Sequence, residues 1–176
     1  MEYFKINGGK KLFGEISVHG AKNSALPILA STLLIKGESV IHNCPDLSDV
    51  KVTLDILASI GCKVNKENDT VIIDATNVTG SEISENTMRT MRSSIIFLSA
   101  LLSRQKCASI YYPGGCEIGT RPIDLHLSSM RKLGAEITEE HGRLYCSLGK
   151  SLHGADITLS FPSVGATENI MIAAAA

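Results

Sequence analysis

Residues 54–64 have the sequence LDILASIGCKV, and residues 127–137 have the sequence LSSMRKLGAEI. The two stretches share their apolar positions and a glycine, at an offset of 127 − 54 = 73. The same offset places residues 70–73, TVII, on residues 143–146, RLYC. A long internal repeat means that one structural unit is used more than once. The chain is therefore interpreted first as a repeat protein.

Two earlier segments extend the repeat. Residues 23–34 match residues 91–102 at an offset of 102 − 34 = 68, and residues 39–41 match residues 109–111 at 70. Because the offset then rises from 70 to 73, the second copy should contain three extra residues, in the stretch 112–122, YPGGCEIGTRP. Loops that are lengthened in one copy of a repeat commonly carry function.

Hydrophobic periodicity predicts the elements of each unit. Residues 23–34 have a helical pattern, residues 39–41 a short β-branched strand, and residues 49–60 a second helix that Gly61 ends. Alternating apolar and polar residues over 70–74 predict the last strand of a pair of strands that ends the unit. This order predicts a βαβαββ unit and an α/β layer architecture.

A third copy begins near the end of the chain. Residues 155–159, ADITL, resemble a first strand, and residues 165–169, GATEN, resemble residues 20–24, GAKNS, at an offset of 165 − 20 = 145. The chain ends inside the first helix of this copy, so the third repeat is expected to be truncated. The predicted units are 22–79, 80–150 and a partial 151–176. The apolar faces of Ile170, Met171 and Ile172 should then lack partners and favour self-association.

Composition excludes several classes of protein. Hydrophobic residues make up 44% and charged residues 20% of the 176 residues, which excludes disorder, and the net charge of −1 does not favour nucleic acid or an anionic membrane. The five cysteines form no Cys-x-x-Cys pair, so neither a zinc site nor a disulfide framework is expected. Free thiols and the absence of a long apolar run predict a cytoplasmic chain. No metal and no cofactor are expected.

The loop around Cys116 is the strongest candidate site. Three glycines and two prolines lie within residues 113–122, a composition typical of a shaped loop whose backbone approaches a ligand. A lone cysteine is more often a small buried hydrophobe, but the flanking glycines offer no side chains to bury it, and Arg121 would favour the thiolate. The other four cysteines, Cys44, Cys62, Cys107 and Cys146, lie in or beside apolar segments and are predicted to be packing residues.

Lys22 and Asn23 follow Gly20 and open a helix, an arrangement that suits phosphate or carboxylate binding. A solvated lysine with Asn23 as the N-cap explains the same pattern equally well. Arg92 has the equivalent place in the second unit, so repeat geometry should bring both helix starts to the same end of the domain. Two cations at one rim favour an anionic ligand.

The stretch 121–125, RPIDL, opens the next predicted helix. Pro122 suits its first turn and Asp124 complements the helix dipole, whereas Arg121 is unfavourable there unless it faces an anion. The histidines have no ligand spacing and are predicted to be surface or capping residues: His19, His42, His126, His141 and His153.

Four motifs together resemble the UDP-N-acetylglucosamine 1-carboxyvinyltransferase family of enolpyruvyl transferases. They are residues 20–27, GAKNSALP, residues 91–94, MRSS, residues 113–126, PGGCEIGTRPIDLH, and residues 163–167, SVGAT. The resemblance implies an inside-out α/β barrel built from βαβαββ repeats. It also implies that enolpyruvyl moves from phosphoenolpyruvate to the 3-hydroxyl of the sugar nucleotide, with release of phosphate, as the first committed step of peptidoglycan synthesis.

The resemblance also implies roles for individual residues. Cys116 would be the proton donor, would form a covalent phosphoenolpyruvate adduct and would react with fosfomycin. Lys22, Asn23, Cys116 and Arg121 would hold phosphoenolpyruvate. The residues implied to hold UDP-N-acetylglucosamine are Arg92, Arg121, Pro122, Ile123, Asp124, Leu125, Ser163, Val164 and Gly165.

Members of that family are more than twice as long as this chain, and their opening segment belongs to the other domain. Residues 1–21 are accordingly expected to form a strand segment of that other domain, and residues 22–176 an incomplete catalytic-loop domain. The isolated chain is expected to be inactive or nearly so. A non-catalytic nucleotide-binding fragment is one alternative, and a shikimate-phosphate enolpyruvyl transferase, which lacks the cysteine loop, is another.

Overall fold

A computed structural model describes residues 3–114 and 122–176. The first unit contains α1 (Lys22–Ser31), a 3-10 turn (Thr32–Leu34), β1 (Glu38–Ile41), α2 (Ser48–Ser59), β2 (Lys63–Glu67) and β3 (Thr70–Asp74). The second contains α3 (Glu85–Thr90), a 3-10 turn (Arg92–Ile96), α4 (Phe97–Gln105), β4 (Cys107–Tyr111), α5 (Asp124–Lys132), β5 (Ala135–Glu140) and β6 (Arg143–Leu148). Helix α6 (Val164–Ala174) follows.

The two units build the same antiparallel sheet. The strand order is β1-β3-β2 in the first and β4-β6-β5 in the second. In the first sheet Val64 faces Ile73, and in the second Ile137 faces Cys146. Each residue of the second pair lies 73 positions after its counterpart in the first, since 137 − 64 = 146 − 73 = 73. The register of the last two strands therefore confirms the repeat.

The offset expected between β1 and β4 is wrong by one position. Ser39 pairs with Ile73, whereas Ala108 pairs with Cys146, so the structural offset is 108 − 39 = 69 rather than 70. Because side chains alternate between faces of a strand, a shift of one residue would turn the buried Ala108 and Ile110 toward solvent. The insertion in the second copy, between strand and helix, is therefore 73 − 69 = 4 rather than three.

The predicted first strand of each unit is largely missing from the described residues. In the second unit it is a single parallel bridge between Glu82 and Ser109, in which the Ile83 amide donates to the Ser109 carbonyl at 3.0 Å. Residues 155–159 form no helix or strand. An extended segment counts as a strand only when another strand accepts its hydrogen bonds, and the described chain offers none there.

The helices lie inside and the sheets outside. Helix α4 is central: it packs against α6, α1 and β4, and its residues from Phe97 to Leu102 are all buried. Each sheet turns one face to the helices, as the alternating burial along β3 and β4 shows. This arrangement confirms the α/β architecture that the repeats predict and the inside-out character that the resemblance implies, while closure of a complete barrel stays a prediction.

Residues 3–21 form no helix or strand and are almost entirely exposed. Phe4, Leu12 and Phe13 each expose nearly all of their side chains. The expected strand in 1–21 is thus not formed by the described part of this segment, which has no partner strand. At the other end, Ile170, Met171 and Ile172 were all expected to lack cover. Met171 is exposed, but Ile170 is half-buried and Ile172 is buried, so the expectation is wrong for Ile172. None of the helices in the described ranges has the length and apolar character that a membrane crossing needs.

Candidate functional site

Lys22 is the first residue of α1, and it is held by a carboxylate. Its Nζ donates to Oδ2 of Asp49 at 2.9 Å, and Asp49 lies in the first turn of α2. The N-cap of α1 is Ala21, which has no side-chain hydrogen bond to offer, so the alternative in which Asn23 caps the helix is wrong. The lysine side chain is about half exposed, at 48%. An ammonium at a helix start, loosely held by one carboxylate, is available to an incoming anion.

A short series of contacts joins Lys22 to the neighbourhood of Arg92. The Thr53 hydroxyl, one turn beyond Asp49 in α2, donates to the Asp49 carbonyl at 2.8 Å and approaches Sδ of Met91 at 3.5 Å. Arg92 follows Met91 and begins the 3-10 turn that packs against α1. The starts of α1, α2 and this turn are therefore neighbours, in agreement with the expected meeting of the Lys22 and Arg92 helix starts.

The loop that leads to Cys116 crosses the end of α3. The Gly114 amide donates to the Met88 carbonyl at 3.1 Å, and a Cβ at Gly114 would overlap the Arg89 carbonyl. Only glycine allows this approach. Cys116 and Arg121 lie in the segment 115–121, outside the described residues, so their expected roles stay predictions.

The starts of α5 and α6 carry the other expected binding residues. Ile123 is buried at the N-cap position of α5, Pro122 and Asp124 are exposed, and Leu125 is half-buried. Asp124 is the first residue of α5, as its expected complementarity to the helix dipole requires.

Helix α6 has a side-chain cap. The Ser163 hydroxyl accepts a hydrogen bond from the Ala166 amide at 3.3 Å, Val164 is the first helical residue and is exposed, and Gly165 follows. A capped helix start leaves its other N–H groups directed outward, where they suit an anion.

Gly165 brings these two helix starts together. A Cβ at Gly165 would lie 3.3 Å from Cε1 of His126, which is in the first turn of the packed partner helix α5. The ring of His126 thus lies directly beneath the first turn of α6. The two stretches that the resemblance assigns to a single ligand, 122–125 and 163–165, are neighbours across this contact.

His126 is the residue that sequence reasoning missed. It was expected at the surface, yet it is only 8% exposed, and its Nδ1 lies 2.6 Å from Nδ2 of the fully buried Asn169. Burial lowers the pKa of His126 to about 4, so the imidazole is neutral near pH 7. The repeat contained the clue, because the offset of 126 − 53 = 73 places His126 on Thr53, within the apolar face of α2.

Three of the four described cysteines are packing residues, as expected. Cys44, Cys62 and Cys146 are buried, and burial raises the pKa of Cys62 to about 11 and that of Cys146 to about 12. The expectation is wrong for Cys107, which is exposed because it begins β4 on the face turned away from the helices. Across residues 3–114 and 122–176, no group of three or more His, Cys, Asp or Glu side chains has the arrangement to hold a metal ion.

Comparison with known sequences assigns the family. The sequence profile described as EPSP synthase (3-phosphoshikimate 1-carboxyvinyltransferase) matches residues 6–176. The chain belongs to this family. Among curated relatives of this enolpyruvyl transferase family, it is 58% identical over 99% of its length to UDP-N-acetylglucosamine 1-carboxyvinyltransferase 2 of Caldanaerobacter subterraneus subsp. tengcongensis. It is 48% identical over 98% of its length to UDP-N-acetylglucosamine 1-carboxyvinyltransferase 1 of Symbiobacterium thermophilum. The resemblance to UDP-N-acetylglucosamine 1-carboxyvinyltransferases that the motifs indicate is confirmed.

Solved structures support the fold. The enolpyruvyl transferase NikO from Streptomyces tendae superposes with a TM-score of 0.70 over 82% of this chain and 32% of its own, at 22% identity. EPSP synthase from Acinetobacter baumannii gives a TM-score of 0.70 over 91% of this chain and 37% of its own, also at 22% identity. The chain spans 42% and 40% of the lengths of the two curated relatives, respectively.

Proposed function

We propose that this chain is part of a transferase that moves enolpyruvyl from phosphoenolpyruvate to the 3-hydroxyl of UDP-N-acetylglucosamine and releases phosphate. The observation that carries the proposal is the meeting of the α5 and α6 starts at His126 and Gly165. These helix starts bear the two motifs, 122–126 and 163–167, in which the chain resembles transferases named for this substrate.

The sugar nucleotide would occupy the rim formed by the two helix starts. Pro122, Ile123, Asp124 and Leu125 would lie on one side of it, and the first turn of α6, residues 163–165, on the other. Free N–H groups at the α6 start suit the diphosphate, and the aliphatic surface of exposed Val164 suits a base or sugar face. Arg92 and Arg121 would supply the positive charge that a diphosphate requires.

Phosphoenolpyruvate would bind at the start of α1, against Lys22 and Asn23. Binding would involve exchange of the Lys22–Asp49 ion pair for a contact between Lys22 and the ligand. An incoming phosphate or carboxylate competes with the Asp49 carboxylate for the Lys22 ammonium, which is already positioned at 2.9 Å from one anion. Because the pair is partly exposed, its loss costs about 1 kcal/mol or less, which a doubly charged ligand readily offsets.

Cys116 would donate the proton to the methylene carbon of phosphoenolpyruvate and would form a covalent adduct with it. General acid chemistry by a thiol requires a cysteine that is accessible and reactive. The described buried cysteines, with pKa values raised by burial, are unsuited to this role. As a thiolate, the same sulfur would attack an epoxide carbon of fosfomycin, break its C–O bond and become alkylated.

The wider setting is part of the proposal. The reaction would supply peptidoglycan synthesis, and with it cell-wall growth and division, in the cytoplasm. Residues 22–176 would belong to one domain and residues 1–21 to the other, and turnover would require the further length that the relatives have. Alone, the chain would self-associate through exposed apolar residues such as Phe4, Phe13 and Met171.

A second candidate function is nucleotide binding without turnover. The meeting of the α5 and α6 starts favours it, since this contact involves only residues of this chain. Calorimetric titration with UDP-N-acetylglucosamine and an assay of phosphate release from phosphoenolpyruvate separate the two. In a chain of the relatives' length, binding with release supports the transferase and binding without release supports the second candidate, whereas no binding by either chain contradicts both.

Mapping the reactive thiol tests the remaining assignment. After limiting alkylation, or treatment with fosfomycin, mass mapping should find Cys116 modified first. Cys107 is the internal control, because it is also exposed but lies on the outer face of its sheet. Preferential labelling of Cys107 would contradict the assignment of Cys116.

A further inference from the structure

Asn169 joins three elements through one buried amide. Its Oδ1 accepts from the Ser99 amide of α4 at 3.3 Å, and its Nδ2 donates to the Ile95 carbonyl at 3.3 Å. The same Nδ2 lies 2.6 Å from Nδ1 of His126 on α5. Asn169 itself is on α6 and has no exposed surface. A buried amide with every partner present is a strong device for fixing the arrangement of helices.

The backbone partners determine which way the Asn169 amide points. The Ser99 N–H can only donate and the Ile95 carbonyl can only accept, so oxygen must face the first and nitrogen the second. The nitrogen that remains toward His126 is therefore a donor. His126 Nδ1 must accept, and the neutral ring carries its proton on Nε2.

The other side of the same ring supports the start of α6. The Cβ position of Gly165 lies 3.3 Å from Cε1 and 3.6 Å from Nε2 of His126. The imidazole therefore contacts α6 at Asn169 by a hydrogen bond and lies close to α6 one turn earlier, where a side chain at position 165 would crowd it. This double contact fixes both the distance and the rotation between the starts of α5 and α6.

We propose that Asn169 is a positioning residue, which acts through the Nε2-protonated tautomer of His126 to hold residues 122–125 and 163–165 in the arrangement that binds the sugar nucleotide. The proposal rests on the proposed function for its ligand. It does not require His126 or Asn169 to touch the nucleotide. The nucleotide affinity should depend on the hydrogen bond between them, although neither helix start changes in sequence.

The first test needs no ligand. Nitrogen-15 NMR of the histidine rings in the unliganded chain at pH 7 should show His126 neutral, with Nδ1 unprotonated and Nε2 protonated. Replacing Asn169→Leu, which is similar in size, should speed exchange of the hydrogen-bonded amides of His126 and Ala166, which donate to the Ile123 carbonyl and the Ser163 hydroxyl, at least tenfold. A ring protonated on Nδ1, or exchange unchanged in Asn169→Leu, would overturn the proposal.

The second test measures binding. Asn169→Leu and His126→Leu should each weaken UDP-N-acetylglucosamine binding at least tenfold by calorimetry. His126→Asn keeps an acceptor near the Nδ1 position and should recover at least half of that loss on a logarithmic scale. Equal affinities for His126→Leu and His126→Asn would show that the hydrogen bond is irrelevant.

A matched control separates positioning from general loss of stability. Thr32→Val also removes a buried polar group, since the Thr32 hydroxyl donates to the Leu29 carbonyl at the end of α1. This change should leave the affinity within twofold. If Thr32→Val weakens binding as much as Asn169→Leu, the effect is global and the proposal is wrong.

The two proposals fail in different ways. If the unaltered chain does not bind UDP-N-acetylglucosamine, the proposed function is contradicted, while the tautomer and amide exchange still decide whether Asn169 fixes the helix starts. If the nucleotide binds but Asn169→Leu and wild type bind equally, the proposed function stands and the positioning role is excluded.

Discussion

Thr53 and His126 occupy the same place in two successive units, at the repeat offset of 126 − 53 = 73, yet they join their units to the next by different chemistry. At the first junction the Thr53 hydroxyl approaches Sδ of Met91 at 3.5 Å. At the second, His126 lies 2.6 Å from Asn169. Both side chains are buried, so the fold requires burial at this position and tolerates either a small hydroxyl or an imidazole.

The two side chains differ in whether they need the next unit for a hydrogen bond. Thr53 also donates to the Asp49 carbonyl in its own helix, so its hydroxyl is satisfied even without Met91. His126 Nδ1 is paired with Asn169 of α6. The start of α5 therefore needs α6 to be well ordered. The candidate nucleotide site lies at the starts of these two helices.

The largest expected effect comes from the cover that α6 provides. Ile28 and Ile96 are equivalent by the offset 96 − 28 = 68, but Ile28 is 47% exposed and Ile96 only 3%. Ile96→Ala should lower the free energy of unfolding by about 2–5 kcal/mol, and Ile28→Ala by less than about 1 kcal/mol. Urea denaturation measures both. Equal losses would show that the two junctions are packed alike.

The second prediction concerns acid. The folded state holds the His126 pKa near 4, below the ordinary 6.5, so between these values the unfolded chain binds more protons than the folded one. Stability should be fully present above pH 6.5 and fall as the pH drops toward 4, by about 3 kcal/mol at most.

Comparison with His126→Gln isolates this contribution. Burial raises the pKa of Glu168, which acts in the opposite direction because the folded state then takes up a proton more readily. The contribution of Glu168 is the same in wild type and in His126→Gln. The difference between their curves of unfolding free energy against pH should therefore have the full slope of one proton between pH 4 and 6.5. Parallel curves would mean that His126 titrates normally.

The third prediction concerns Lys22. Lys22→Ala removes a partly exposed ion pair with Asp49, so the free energy of unfolding should change by less than about 1 kcal/mol. In a chain of the relatives' length, the same change should lose most phosphoenolpyruvate-dependent phosphate release, because a charge-assisted bond is worth about 1.5–3 kcal/mol. A large fall in melting temperature with turnover retained would show that Lys22 is structural.

The smallest effect is expected at the first junction. Thr53→Val preserves shape and removes a hydroxyl whose partners are a helix carbonyl and a thioether. Unfolding free energy should fall by about 1 kcal/mol or less. Stability should also show the same pH dependence as wild type. A loss as large as that of Asn169→Leu would mean that the two junctions are equivalent after all.

The sequence predicts the repeated scaffold well, because apolar periodicity and the glycine that ends each second helix depend on local chain geometry. It fails at β4, where short strands of similar residues align equally well at two offsets, and only the pairing of Ala108 with Cys146 decides between them. It also fails for His126, since the partner that makes its burial possible, Asn169, is distant in the sequence. Long-range polar pairs leave no local pattern.

The most direct test of the central claim is a map of amide chemical shifts as the chain is titrated with UDP-N-acetylglucosamine. We expect saturable shifts concentrated at residues 123–126 and 163–166, with smaller ones near Arg92, and none on the outer face of the β4-β6-β5 sheet. Uridine monophosphate should shift a subset of the same amides more weakly. Saturable shifts confined to other surfaces, or no shifts at either helix start, would contradict a nucleotide site built from α5 and α6.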